Sequence, residues 1–353
     1  MTTSPRRTTH DKKLSRSAER STSRSSLVLA ELSYQRGDVA KALQLLKRLR
    51  LQNQKSAFKE DNLYGCSLGL SLDFPKAIKE FEKLSRKHRT SGLFYEKARF
   101  NLGLIHFFRD LSEVGDLTIT RQAINGNNLF EPNGFKPSRM NNAFEDAVAL
   151  WEELLPDSKH YTNIVLTYLA FAALQQGDLQ KALDYIVESL TKSKNFHLAY
   201  YVAGRLFLDF YFLTEDQIHF TLDTKSTTFF GIEKEEGEVQ ADGRIQVDYD
   251  TLIRVAYECF FEGFQMNPNA PEICLGLVTC CFLTGNQEDL FQYLAIAESM
   301  IPESKVLLDL VYWLVRESLA PPGEMNAVLR RLNEAKIHPE KGAFHVISPY
   351  FLL

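Results

Sequence analysis

The sequence is poor in the residues that carry most protein chemistry. Of 353 residues only five are cysteine and eight histidine, and these form neither a zinc-ligand spacing nor an H-E-x-x-H helix. Glycine-rich phosphate loops and dinucleotide fingerprints are also missing. Paired carboxylates such as Glu152–Glu153 fall on what reads as helix surface, where solvation accounts for them. No catalytic residue, cofactor or metal is therefore expected, and the chain reads as a non-enzyme.

The cysteines, Cys66, Cys259, Cys274, Cys280 and Cys281, are odd in number, lack paired spacing and sit in apolar segments. This excludes a disulfide framework and points to reduced core thiols, as in a cytoplasmic or nuclear protein. No apolar run reaches about 18 residues, which excludes a helical membrane span. Basic residues are outnumbered, 41 against 45 acids, giving a net charge of −4. Residues 1–26 hold +5 of local charge, so the remainder carries −9, which excludes a basic nucleic-acid-binding surface over the whole chain.

What is abundant is helical periodicity. In Tyr161–Leu190, apolar residues recur at helical spacing through Ile164, Leu166, Leu169, Ala170, Ala173 and Leu174. After Gly177-Asp178 they resume as Leu179, Ala182, Leu183, Ile186 and Leu190. Glycine frees the backbone to leave one helix and aspartate caps the next, so this is a helical hairpin. One hairpin cannot bury both faces, and similar neighbours are required.

They are present. The small residue of the second helix recurs as Ala42, Ala77, Ala147, Ala182 and Ala256, with Leu290 at the equivalent place. Successive spacings are 35, 70, 35, 74 and 34 residues, so two hairpins are stretched by insertions. Gly65, Gly103 and Gly204 mark the small site of the first helix, Phe81, Trp151 and Phe260 an aromatic site, and Pro268 and Pro302 repeat ends.

At these residues the chain resembles the tetratricopeptide-repeat superfamily over roughly residues 27–320. The resemblance implies an all-α, right-handed α-solenoid of about six and a half tetratricopeptide-like hairpins. It further implies a non-catalytic scaffold or adaptor that binds other protein subunits. Repeat phase then sets Lys97, Phe100, Leu104, Phe107, Phe171, Leu174, Tyr201, Arg205 and Leu208 on a concave face suited to an apolar peptide or amphipathic helix. Whether that groove stands open or is filled by the chain's own insertions or tail stays undecided.

Chaperone-binding members grip a terminal carboxylate with Lys and Asn, then Asn, then Lys and Arg on three successive first helices. The matching places here hold Leu27 and Glu31, Leu63, then Lys97 and Asn101, and only Lys97 fits. The order of hairpins around Phe100–Phe107 and Gly177 is similar to the tetratricopeptide subunit ten of the CCR-NOT mRNA deadenylase complex. That similarity implies a cytoplasmic scaffold in mRNA turnover. A subunit of a vesicle-tethering or ciliary trafficking complex is the alternative.

Outside the repeats, residues 1–26 are a disordered basic Ser/Arg-rich arm. It reads as solvated, as a phosphorylatable contact for RNA or an acidic partner, or as a transit peptide. The insertions span about 111–140 and 213–249. Leu129, Phe130 and Phe135 of the first either cover neighbouring repeats or dock a partner. The second is acidic and expected to be solvated; its Asp242, Asp248 and Asp250 lack calcium-loop spacing. Gly65-Cys66-Ser67-Leu68-Gly69 satisfies G-x-S-x-G but is in phase with a repeat helix, not a strand-to-helix elbow. Residues 321–353 contribute a last helix and an apolar tail, expected to cap the final repeat or to dock on another subunit.

Overall fold

The computed structural model describes residues 25–52, 57–114, 144–213, 221–222, 224–232, 237–239, 245–300 and 351–353. Residues 1–24 of the arm, and Leu129, Phe130 and Phe135 of the first insertion, lie outside them. The fold is all-α, built of helical hairpins, and it divides into two compact units. One comprises Met1–Arg109 with Pro349–Leu353, the other Asp110–Ser348.

In the first unit, α1 (25–35) and α2 (Val39–Gln52) form one hairpin, α3 (Phe58–Leu70) and α4 (Phe74–Lys87) the next. Helix α5 (Gly92–Val114) follows, and the division between units falls within it. Ala30, Leu46, Leu49 and Leu63 make a buried cluster, flanked by Leu27, Tyr34, Leu45, Tyr64 and Leu353. Arg50 of α2 ties the two hairpins together, bonding Glu80 at 2.8 Å, pairing with buried Asp61 at 3.5 Å and lying 4.3 Å over the Tyr64 ring.

The second unit holds α6 (Glu145–Leu154), the hairpin α7 (Thr162–Gln176) and α8 (Leu179–Lys192), and α9 (His197–Leu213). After a short α10 (Thr224–Phe229) come α11 (Tyr249–Met266) and the hairpin α12 (Pro271–Thr284) and α13 (Gln287–Met300). Helices α9 and α11 pack on each other although residues 214–248 separate them in sequence. Within that segment β1 (Thr221–Leu222), β2 (Gly237–Val239) and β3 (Ile245–Val247) form an antiparallel sheet in the order β1-β3-β2. The acidic insertion, expected to be solvated throughout, thus contains paired strands and buries Leu222 and Val247. Asp248 caps α11 by accepting from the Thr251 N–H at 2.8 Å.

Among the described residues the same turn closes four hairpins. At Gly177 the N–H of Gly177 bonds Leu174 O and that of Asp178 bonds Ala173 O, which satisfies carbonyls that the helix end leaves without partners. Equivalent pairs occur at Gly37, Leu72 and Gly285, and all four residues have positive φ, from 62° to 79°. Asp38 and Asp178 then accept from Lys41 and Lys181 N–H at 3.1 Å to start the second helix.

Helix pairs close where glycine meets an aromatic ring. A Cβ on Gly65 would stand 2.8 Å from the Phe81 ring, and one on Gly204 2.8 Å from the Phe260 ring. Gly276 approaches Phe260 from α12, so one ring fills the space between two glycine-bearing helices. Ala42, Ala77, Ala147, Ala182 and Ala256 are fully buried, and Gly65, Gly103 and Gly204 are buried with them. All five cysteines are free and buried, and burial pushes their thiols up, which makes them inert. Among the described residues no helix is long and apolar enough to cross a membrane.

Candidate functional site

In the first unit, residues 351–353 of the same chain pack against the helix pairs. Phe351, Leu352 and Leu353 lie in non-helical, unpaired conformation against α3 and α5. The Asn101 side chain meets both main-chain groups of Leu352: its Oδ1 accepts from Leu352 N–H at 2.9 Å and its Nδ2 donates to Leu352 O at 3.0 Å. Asn62 Nδ2 donates to the same carbonyl at 2.8 Å. The two asparagines are bonded to each other at 3.1 Å and both are fully buried. Buried amides of this kind are costly unless paired, so the peptide main chain completes them.

Side chains of the segment fall into shaped places. Phe351 sits over Gly69, where a Cβ would stand 2.9 Å from the ring. Leu353 packs on the cluster of Ala30, Leu46, Leu49 and Leu63. Lys97 Nζ donates to Leu353 O, and burial pulls the Lys97 ammonium down from its ordinary value. Lys59, on the preceding first helix, is engaged with Glu31 at 2.8 Å. The segment is therefore held through its main chain and apolar side chains, with Lys97 against Leu353 O.

Of the nine residues expected on the concave face, Lys97 is partly buried and touches this segment. Phe100, Leu104 and Phe107 on α5, Phe171 and Leu174 on α7, and Tyr201, Arg205 and Leu208 on α9 are buried. None of these eight side chains is exposed. In the second unit, Phe171 meets Tyr201 edge to face with centroids 6.1 Å apart, and Tyr201 meets Phe260 at 6.2 Å. Arg205 NH1 donates to Tyr201 Oη at 3.2 Å.

Sequence reasoning did not select the two asparagines that bond the segment. Asn101 stands where the chaperone-type clamp has arginine, and Asn62 lies one residue before the clamp position occupied by Leu63. A single residue turns a helical side chain by about 100°, so a fixed register misses it. Ser67 of the G-x-S-x-G match lies within α3 with its Oγ donating to Leu63 O at 2.8 Å, a helix-internal bond with no elbow. Among the described residues no group of His, Cys, Asp or Glu is arranged to hold a metal.

No family model matches the chain, and no curated protein does. Its solved structural neighbours include the human IFIT1 dimer with m7Gppp-AAAA, 15% identical, covering 90% of this chain and 68% of that one, with a TM-score of 0.47. TTC0263, a thermophilic TPR protein of Thermus thermophilus, is 14% identical, covering 63% of this chain and 90% of that one, with a TM-score of 0.41. The TPR2AB domain of yeast Sti1 in complex with pHSP90 is 7% identical, covering 90% and 99%, with a TM-score of 0.27. Likeness at this level does not extend to a partner or an activity.

Proposed function

We propose that this chain is a non-catalytic protein-interaction scaffold whose first unit holds an extended apolar peptide segment between α3 and α5. The observation that carries this is the buried pair Asn62 and Asn101, which together satisfy both main-chain groups of Leu352. Such a pair recognises a peptide through its backbone and leaves side-chain selection to the flanking apolar places. Amide side chains neither take up nor release a proton at ordinary pH, so the pair offers no general acid or base.

Affinity purification of the full-length chain beside its Asn62→Ala/Asn101→Ala variant, with mass spectrometry of what accompanies each, tests this. Partners lost from the variant, with helicity retained by circular dichroism, support the groove as the docking site. An identical partner set discards it. The same experiment addresses the finer assignment. Recovery of deadenylase subunits supports a scaffold in mRNA turnover, as the hairpin order suggests, whereas tethering or ciliary components support the alternative. RNA crosslinking that is lost on deleting residues 1–26, with protein partners retained, assigns the arm an accessory RNA contact.

A further inference from the structure

We propose that the Phe351–Leu353 segment is an exchangeable self-ligand: it closes the groove, and a partner opens the chain to binding by presenting an extended segment with an aromatic residue followed by two aliphatic ones. This rests on the groove's being a peptide site. Three observations support exchange over permanent core structure.

First, the segment belongs to no helix or sheet, and the bonds that satisfy Leu352 come from the side chains of Asn62 and Asn101. Removing it unwinds no element. Second, recognition is generic at its centre and selective at its edges. Any residue with a main-chain N–H satisfies Asn101, while Gly69 makes room for the ring of Phe351 and the Ala30, Leu46, Leu49 and Leu63 cluster receives Leu353. A competing segment needs that chemistry and no more. Third, the groove offers a competitor little charge: displacing the segment frees Lys97 alone, while Lys59 stays paired with Glu31. An acidic peptide gains little, so an apolar one is favoured.

A tethered ligand competes at its local concentration and weakens every free ligand by the same factor. The test uses a labelled peptide of residues 346–353, Val-Ile-Ser-Pro-Tyr-Phe-Leu-Leu, titrated by fluorescence anisotropy against the full chain. In parallel it is titrated against Leu352→Pro, which removes the N–H that Asn101 accepts, and against a chain lacking 351–353. Both altered chains are expected to bind the peptide at least about tenfold more tightly than the full chain, and adding Asn101→Ala to either is expected to abolish that binding.

Equal affinity in all three chains would overturn self-closure while leaving the peptide groove standing. No binding to any chain, with helicity and cooperative unfolding intact, would overturn the groove itself and the proposed function with it. Should the altered chains unfold, amide hydrogen exchange on the unaltered chain decides. Excess peptide is expected to speed exchange at Leu352, and protection that stays unchanged at saturating peptide overturns the proposal. A concentration-dependent dimer in sedimentation, lost in Leu352→Pro, would also overturn it, since the segment would then be seated in a second copy.

Discussion

The side chain of Asn101 pairs with Leu352 as one peptide group pairs with another, accepting at 2.9 Å and donating at 3.0 Å across a sequence separation of 251 residues. Asn101→Ala leaves the Leu352 N–H and Asn62 Oδ1 without this partner in a buried site. A cost of about 2–6 kcal/mol is expected, at roughly 1–3 kcal/mol for each of the two buried groups stranded. Denaturant unfolding of the full chain measures it, and a loss under about 0.5 kcal/mol would show that water reaches the pair.

Leu72 occupies the left-handed turn position that is glycine at 37, 177 and 285, with φ of 62° and half of its surface exposed. A Cβ in that conformation costs roughly 1–2 kcal/mol. Leu72→Gly is therefore expected to stabilise the chain by about 1 kcal/mol after the extra chain entropy of glycine is offset. A lower melting temperature in the variant would contradict the turn geometry.

Phe260 has no slack on either side. Gly204→Ala would press a methyl into a ring whose nearest atoms stand 2.8 Å from the new Cβ, and Gly276→Ala would meet the same ring more closely. Either change is expected to destabilise by about 1–3 kcal/mol through overpacking. In the double variant with Phe260→Leu much of that loss should return, and failure to recover in a double-mutant cycle would place the strain elsewhere.

Ala182 is fully buried in α8, the helix that packs on α7. Ala182→Asp buries an uncompensated carboxylate, and a loss of more than about 3 kcal/mol is expected. Unchanged thermal unfolding would mean that the repeat register is wrong at this hairpin.

Burial pushes the Glu272 carboxyl up from 4.5 to about 7, outweighing a backbone hydrogen bond that acts the other way. Between those values the folded chain keeps a proton that the unfolded chain releases. Stability therefore falls as pH rises from 4.5 to about 7 and is level above it, by a total on the order of 3 kcal/mol at about 1.4 kcal/mol per pH unit. Glu272→Gln is expected to raise stability at pH 8 and to change it little at pH 4. Equal effects at both would assign the group an ordinary acidity.

The hairpins were legible because their signals are local. Gly177 with Asp178 stops one helix and starts the next within a few residues, and Ala182 recurs in phase as Ala42, Ala77, Ala147 and Ala256. The small sheet had a local signal that went unread: Asp242-Gly243 lies between Val239 and Ile245, a hairpin pattern obscured by the surrounding acids. Lys97 stands at a clamp position of the third first helix, whereas Asn62 lies one position before the clamp place held by Leu63.

The sequence alone determined the helix-pair architecture and the turns, because each depends on residues close to one another in the chain. Only the tertiary structure decided where Phe351–Leu353 would lie. Their partners Asn62 and Asn101 are 290 and 251 residues away, and an apolar tail carries no periodicity that names the surface it will bury. That choice is made by which groove offers buried amides in need of a main chain, a property that exists only once α3 and α5 have brought the two asparagines together.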